Sequence, residues 1–207
     1  MARNAVGFYW TLPVPWAGFT NLPRKIDQAA TVSRTIRYQR DLIRGYATDE
    51  GYRLVHEEVF LEIEPDRGSD LILAPLTKVK KICQDEEAIL LFVDFWEAQR
   101  WRAHGAMVNW LRQANIEMQS IAPREIMMDY KIFDPHAHFR RWRERQSAWI
   151  ERKRERIERA RDRANELRQQ GHSYPKIADA LNKEQFPSAT GRSWTTDNIR
   201  KLMGKSF

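Results

Sequence analysis

A chain of 207 residues with 42% hydrophobic residues and 8 Trp has room for one moderate domain with a real core, plus a smaller appendage. Its formal charge of +7 makes polyanions plausible partners, while the single cysteine, Cys83, excludes an internal disulfide and fits a reducing cytoplasm. The longest apolar run, Ala88 to Val93, is about a third of a membrane span, and residues 1–12 lack the basic-then-apolar order of a signal peptide.

Residues 5–12 (AVGFYWTL) are short, aromatic and apolar and are closed by Pro13 and Pro15, which predicts a buried strand. Residues 14–25 predict a loop with Pro15, Gly18 and Pro23. Residues 26–48 carry helical spacing through Ile26, Ala29, Ala30, Val32, Ile36, Leu42, Ile43 and Tyr46. A strand is expected over 52–61, a helix over 70–84, the clearest buried strand over 87–95, a helix over 98–114 and a further strand over 115–121. This short-interval alternation predicts an α/β domain with a mostly parallel sheet over residues 1–134. On its helical pattern Cys83 reads as a buried structural thiol.

The pattern changes near Asp134. Trp142, Trp149, Ile157, Ala160, Ala164 and Leu167 share one helical face, and the other faces are dense in Arg. One helix of about 30 residues would be about 45 Å long, so residues 135–170 are expected to project as a long basic helix. Residues 138–170 carry a net charge of +6 and residues 171–207 a net of +3, against −2 for residues 1–137. The whole positive excess therefore lies in the C-terminal third.

Residues 171–207 predict a helix-turn-helix module. Gly171 stops the long helix. Ser173 can cap a helix bearing Ile177, Ala178 and Leu181, and Thr195 or Thr196 can cap a last helix bearing Ile199, Leu202 and Met203. Leu167, Ile177, Leu181, Trp194, Ile199 and Leu202 would make the core. The last helix would then offer Thr195, Thr196, Asn198, Arg200, Lys201 and Lys205 to a DNA groove, with Arg192 in the preceding turn placed for a phosphate or the minor groove.

The segment LRQQGHSYPKIADALNKEQFPSATGRSWTTDNIRKLM resembles the DNA-binding module of serine recombinases of the resolvase/invertase group. The stretch YQRDLIRGYATDEGYRLV (38–55) resembles the Gln-containing helix and second strand of that family's catalytic domain, and 138–170 resembles its extended dimerisation helix. The resemblance implies a resolvase-like α/β domain, binding to double-stranded DNA, and a homodimer or higher homo-oligomer through Trp142, Trp149 and Ile157. It also implies a nucleoid-associated cytoplasmic location. In that family a Tyr-x-Arg-x-Ser motif ends the first strand and Arg side chains neutralise the reacting phosphate. Here the motif reads Tyr9-Trp10-Thr11-Leu12-Pro13, with Thr11 in place of the Arg and Pro13 in place of the Ser. Of the Arg pair after the central strand, the matching positions are Glu97 and Arg100.

These departures predict a catalytically inactive DNA-binding protein with a transcriptional or architectural role. A first alternative is an active recombinase with Ser33 as a displaced nucleophile beside Arg34, Arg37 and Arg100. A second is a protein-recruitment module in which the α/β domain holds a partner and DNA is the tether. No cofactor is expected, and no metal. Asp94 and Glu97 with Glu57, Glu58 or Glu62 could hold Mg²⁺, but an acidic rim is the more ordinary reading. The pair His136 and His138 lacks further ligands, and Phe8, Tyr9, Trp10, Trp16 and Phe19 are better explained by core and loop packing than by base stacking.

Overall fold

An unbroken run of apolar side chains leaves a strand no face for water, and the sheet is built around the two such runs in this chain. The computed structural model describes residues 2–63, 68–95 and 104–204. The first run forms β1 (Arg3–Thr11), followed by α1 (Ile26–Val32), α2 (Arg34–Asp49), β2 (Tyr52–Leu61) and α3 (Leu73–Asp85). The second run forms β3 (Ile89–Val93), and α4 (Gly105–Gln113) and β4 (Met118–Ile121) come next. The sheet order is β2-β1-β3-β4 and every pairing is parallel. The crossover from β1 to β2 and the one from β2 past β1 to β3 run in opposite directions, so right-handed connections require helices on both faces. Burial of both central runs agrees: Ala5, Val6, Phe8, Tyr9, Leu90 and Leu91 are all fully buried.

Two departures from the expected elements have local causes. The helix expected over 26–48 breaks at Ser33, whose backbone is extended and whose side chain accepts a hydrogen bond from the Ile36 N–H, so α2 starts afresh there. A short antiparallel hairpin, β5 (Ile126–Met128) and β6 (Lys131–Phe133), follows the sheet; its turn places Asp129 and Tyr130 at φ 52° and 60°. The expected helix over 98–114 is described only from Gly105, and residues 96–103 lie outside the described residues.

The chain divides into two compact units: Met1–Pro13 with Asn21–Trp142, and Val14–Thr20 with Arg143–Phe207. The boundary falls within α5 (Pro135–Glu151), which Asp134 caps by accepting from the Ala137 N–H at 3.1 Å. Phe139 and Trp142 of α5 are buried in the first unit. A basic helix free along its length is therefore not what forms: apolar residues one turn apart dock its beginning. Nor is 138–170 one helix. Arg152, at φ −84° and ψ 8°, separates α5 from α6 (Lys153–Gln169), although hydrogen bonds from the Arg152 and Arg156 N–H groups carry across the break.

In the second unit α6 ends at Gly171, in the left-handed region at φ 84°; His172 N–H bonds to the Leu167 carbonyl and Gly171 N–H to that of Arg168. Helices α7 (Tyr174–Lys183) and α8 (Thr196–Gly204) complete the unit. Its core is Ala160, Ala164, Leu167, Ile177, Ala178, Leu181, Trp194, Ile199 and Leu202, which contains all six residues expected from the sequence. The Val14–Thr20 segment folds back on itself through paired hydrogen bonds between Val14 and Phe19. It approaches the turn at Gly191 so closely that a methyl group there would fall 2.6 Å from Pro15 Cβ. No helix among the described residues is long and apolar enough to cross a membrane.

Candidate nucleic-acid interface and strand-end residues

The last helix owes its placement to side chains from the turn before it. Thr195 Oγ1 accepts from the Asn198 N–H at 3.3 Å, capping α8 as a threonine ahead of a helix can. Trp194 fills the core and its indole N–H donates to the Phe186 carbonyl at 2.8 Å. Asn182 holds the Trp194 backbone from both sides, donating to its carbonyl at 2.9 Å and accepting its N–H at 2.7 Å. Burial of Ile199 and Leu202 turns the opposite side of α8 outward: Thr195, Asn198, Arg200 and Lys201 are exposed, as is Arg192 in the turn, and Thr196 is half-buried. Lys205 lies outside the described residues.

Not all the positive charge is equally available. Arg200 pairs with Asp197 at 3.2 Å, and its guanidinium lies 6.0 Å from the Tyr174 ring. Along α6, Arg154 pairs with Glu158, Arg159 with Glu155, and Arg163 with both Glu166 and Glu184. The two carboxylates hold the Arg163 guanidinium well above its ordinary range, and Glu184 is correspondingly held low. Arg152, Lys153, Arg192 and Lys201 make no ion pair among the described residues, so they keep their full charge toward a polyanion. Counting Arg residues along the sequence misses this distinction. The Glu residues at i+4, i−4 and i+3 are the sequence signal for these pairs, in keeping with the reading of an Arg/Glu-rich helix as a surface laced with such pairs.

The residues expected on the dimerisation face are largely occupied within the chain. Trp142 is buried and donates its indole N–H to the Pro13 carbonyl at 3.3 Å. The Trp149 ring is covered by the Arg156 guanidinium at 3.4 Å, and Ile157 packs against the three-helix core. Ile150, 51% exposed, is the large apolar residue this stretch leaves outward.

At the other candidate site the fold brings Ser33 to the end of β1. Its hydroxyl is 3.4 Å from Thr11 Oγ1 and caps α2. Ser33 is 6% exposed. Arg34 and Arg37 point to the hairpin instead: Arg34 lies 5.6 Å over the Phe133 ring, and Arg37 forms a two-pronged pair with Asp129 at 2.6 and 2.7 Å. Arg100 and Glu97 lie outside the described residues. Gln39, fully buried, brackets the backbone of Trp10 with bonds of 2.7 and 3.2 Å.

Of the carboxylates weighed as metal ligands, Glu57, Glu58 and Glu62 are engaged elsewhere, and Glu97 lies outside the described residues. Glu57 accepts from Arg44 and from Tyr9, whose phenol burial pushes well above its ordinary pKa. Glu58 meets His56 and Lys78. Glu62 is buried against His104 at 2.5 Å. His138 is turned inward, 3.1 Å from Thr35 Oγ1, while His136 is exposed. The Cys83 thiol is buried and pushed up to about 11 by desolvation, far from the range of a nucleophile. The comparisons with known proteins give the chain no relative: no family model, no curated protein and no solved structure matches it.

Proposed function

We propose that this chain is a double-stranded DNA-binding protein that engages DNA through a helix-turn-helix formed by α7 and α8, and that it resembles serine recombinases without carrying out strand cleavage. The observation that supports this reading is the division of α8 into two faces. Ile199 and Leu202 are buried in the three-helix core, while Thr195, Asn198, Arg200 and Lys201 are exposed beside Arg192. A short amide, hydroxyls and cations, of which Arg192 and Lys201 make no ion pair among the described residues, suit base edges and phosphates in a major groove. A role in transcription or DNA architecture follows from binding without cutting.

Cleavage by Ser33 is not part of the proposal. Its hydroxyl is buried and engaged in capping, and two of the arginines that would serve a phosphate engage Asp129 and Phe133. The test is enrichment of fragmented genomic DNA on the full chain, followed by anisotropy titrations of an enriched site at several salt concentrations. Arg192→Ala and Lys201→Ala should each weaken binding and reduce the salt slope by about 1. Uniform enrichment, or affinity unchanged in both variants, would remove the assignment of α8.

A further inference from the structure

The sheet opens at the carboxyl end of its two central strands. Strands β1 and β3 pair only as far as Phe8 and Phe92. Beyond that point the Trp10 backbone bonds to the side chain of Gln39. Because the strand order reverses between β1 and β3, this gap is the switch point of the sheet, where open α/β sheets place ligands. A cavity of about 570 Å³ lies here, within the range that holds small organic molecules. Its lining is mainly apolar, with Trp10, Phe92, Phe95 and Met107 as the large side chains, and His104, Asn109, Ser120, Asp94 and Arg112 add polar or charged groups.

The lining narrows the chemistry. Aromatic and thioether walls favour a flat ring over a sugar or a peptide. Arg112 is exposed and makes no ion pair among the described residues, so a guanidinium fork is available to a carboxylate or a phosphate. We propose that this crevice binds a planar aromatic molecule bearing one acidic group, held against the aromatic wall and paired with Arg112. The inference is independent of DNA binding, since none of these residues belongs to the unit that contains α8.

Calorimetric titration of the full chain with indole-3-acetate and with adenosine 5′-monophosphate tests it, with acetate and inorganic phosphate as controls. Saturable binding of one or both aromatic anions, absent with both controls and weakened about tenfold or more by Arg112→Ala, is the expected result. Preference for the first compound would identify an aryl carboxylate as the ligand type, and preference for the second a nucleotide phosphate. Binding of neither compound would overturn the proposal. So would equal binding by Arg112→Ala, or controls that bind as tightly as the aromatic anions. Arg112 is exposed on α4, so its removal leaves the core intact, which an unfolding curve of the variant checks.

Discussion

Asn182 and Trp194 form a two-way clamp: the amide of Asn182 donates to the Trp194 carbonyl at 2.9 Å and accepts the Trp194 N–H at 2.7 Å. The clamp fixes the residue directly before the Thr195 cap, so the end of α7 sets where α8 begins. Asn182→Ala leaves both backbone groups without this partner. It should destabilise the second unit by about 2 kcal/mol in urea unfolding, given about 1 kcal/mol for each net hydrogen bond. A loss below a few tenths would mean that solvent replaces the amide freely.

Helix α7 ends with Gln185 at φ 59°, a conformation that glycine adopts without penalty and other residues do not. The Phe186 N–H reaches the Leu181 carbonyl at 2.9 Å, so this is the same closure that α6 makes with Gly171. Gln185→Gly should therefore raise stability by about 0.5–1 kcal/mol, and Gly171→Ala should lower it by about 1 kcal/mol. Thermal unfolding of the two variants would show shifts of opposite sign. Shifts in the same direction would contradict the closure geometry.

Within the sheet, Tyr9 folds its ring back over Gly7, and a Cβ at Gly7 would collide with the phenol oxygen and ring carbons. The ring has little freedom to retreat, because it is fully buried and its hydroxyl donates to Glu57 at 2.8 Å. Gly7→Ala should cost about 1–3 kcal/mol by overpacking. Folding at wild-type stability would show that the ring moves freely after all.

His138 gives the first unit a dependence on pH. Burial, with the nearby charges of Arg34 and Arg141, lowers its pKa from the ordinary 6.5 to about 4. The unfolded chain takes up this proton near pH 6.5 and the folded chain only near pH 4. The contribution is complete above pH 6.5 and is lost as pH falls toward 4. Urea unfolding should lose about 2 kcal/mol between pH 7 and pH 5 through this group. His138→Gln should flatten that slope, and an unaltered slope would assign it to other groups.

Much of this architecture is legible in the sequence because burial dictates it. The apolar runs of β1 and β3 can only be central strands, and the i, i+3, i+4 spacing of Ile177, Ala178 and Leu181 can only face a core. The misses have physical reasons. Ala29, Ala30, Val32 and Ile36 keep one helical period across Ser33, so periodicity cannot see the break that the serine's cap creates. The β5–β6 hairpin has strands of three residues and turns through Asp129-Tyr130 with no glycine to announce it. The outward residues of α8 follow from its buried ones. The Asn182 clamp does not, because its partner comes twelve residues later across a turn of unfixed shape. Hidden for the same reason was the crevice beside Trp10, which depends on Gln39 replacing a strand neighbour.

The pairing of Pro15 with the turn at Gly191 bears on how the protein is made. A ribosome releases Val14–Thr20 well before Gly191, because 170 residues lie between Thr20 and Gly191. At bacterial or eukaryotic elongation speeds of roughly 5–20 residues per second, that segment waits about ten to thirty seconds for its neighbour. The first unit can assemble around β1 during synthesis, but the second acquires the partner of its Val14–Thr20 segment only after Gly191 has been made. A fragment beginning at Arg143 would carry all three helices of the second unit and still lack the proline loop that lies against the turn bearing Arg192.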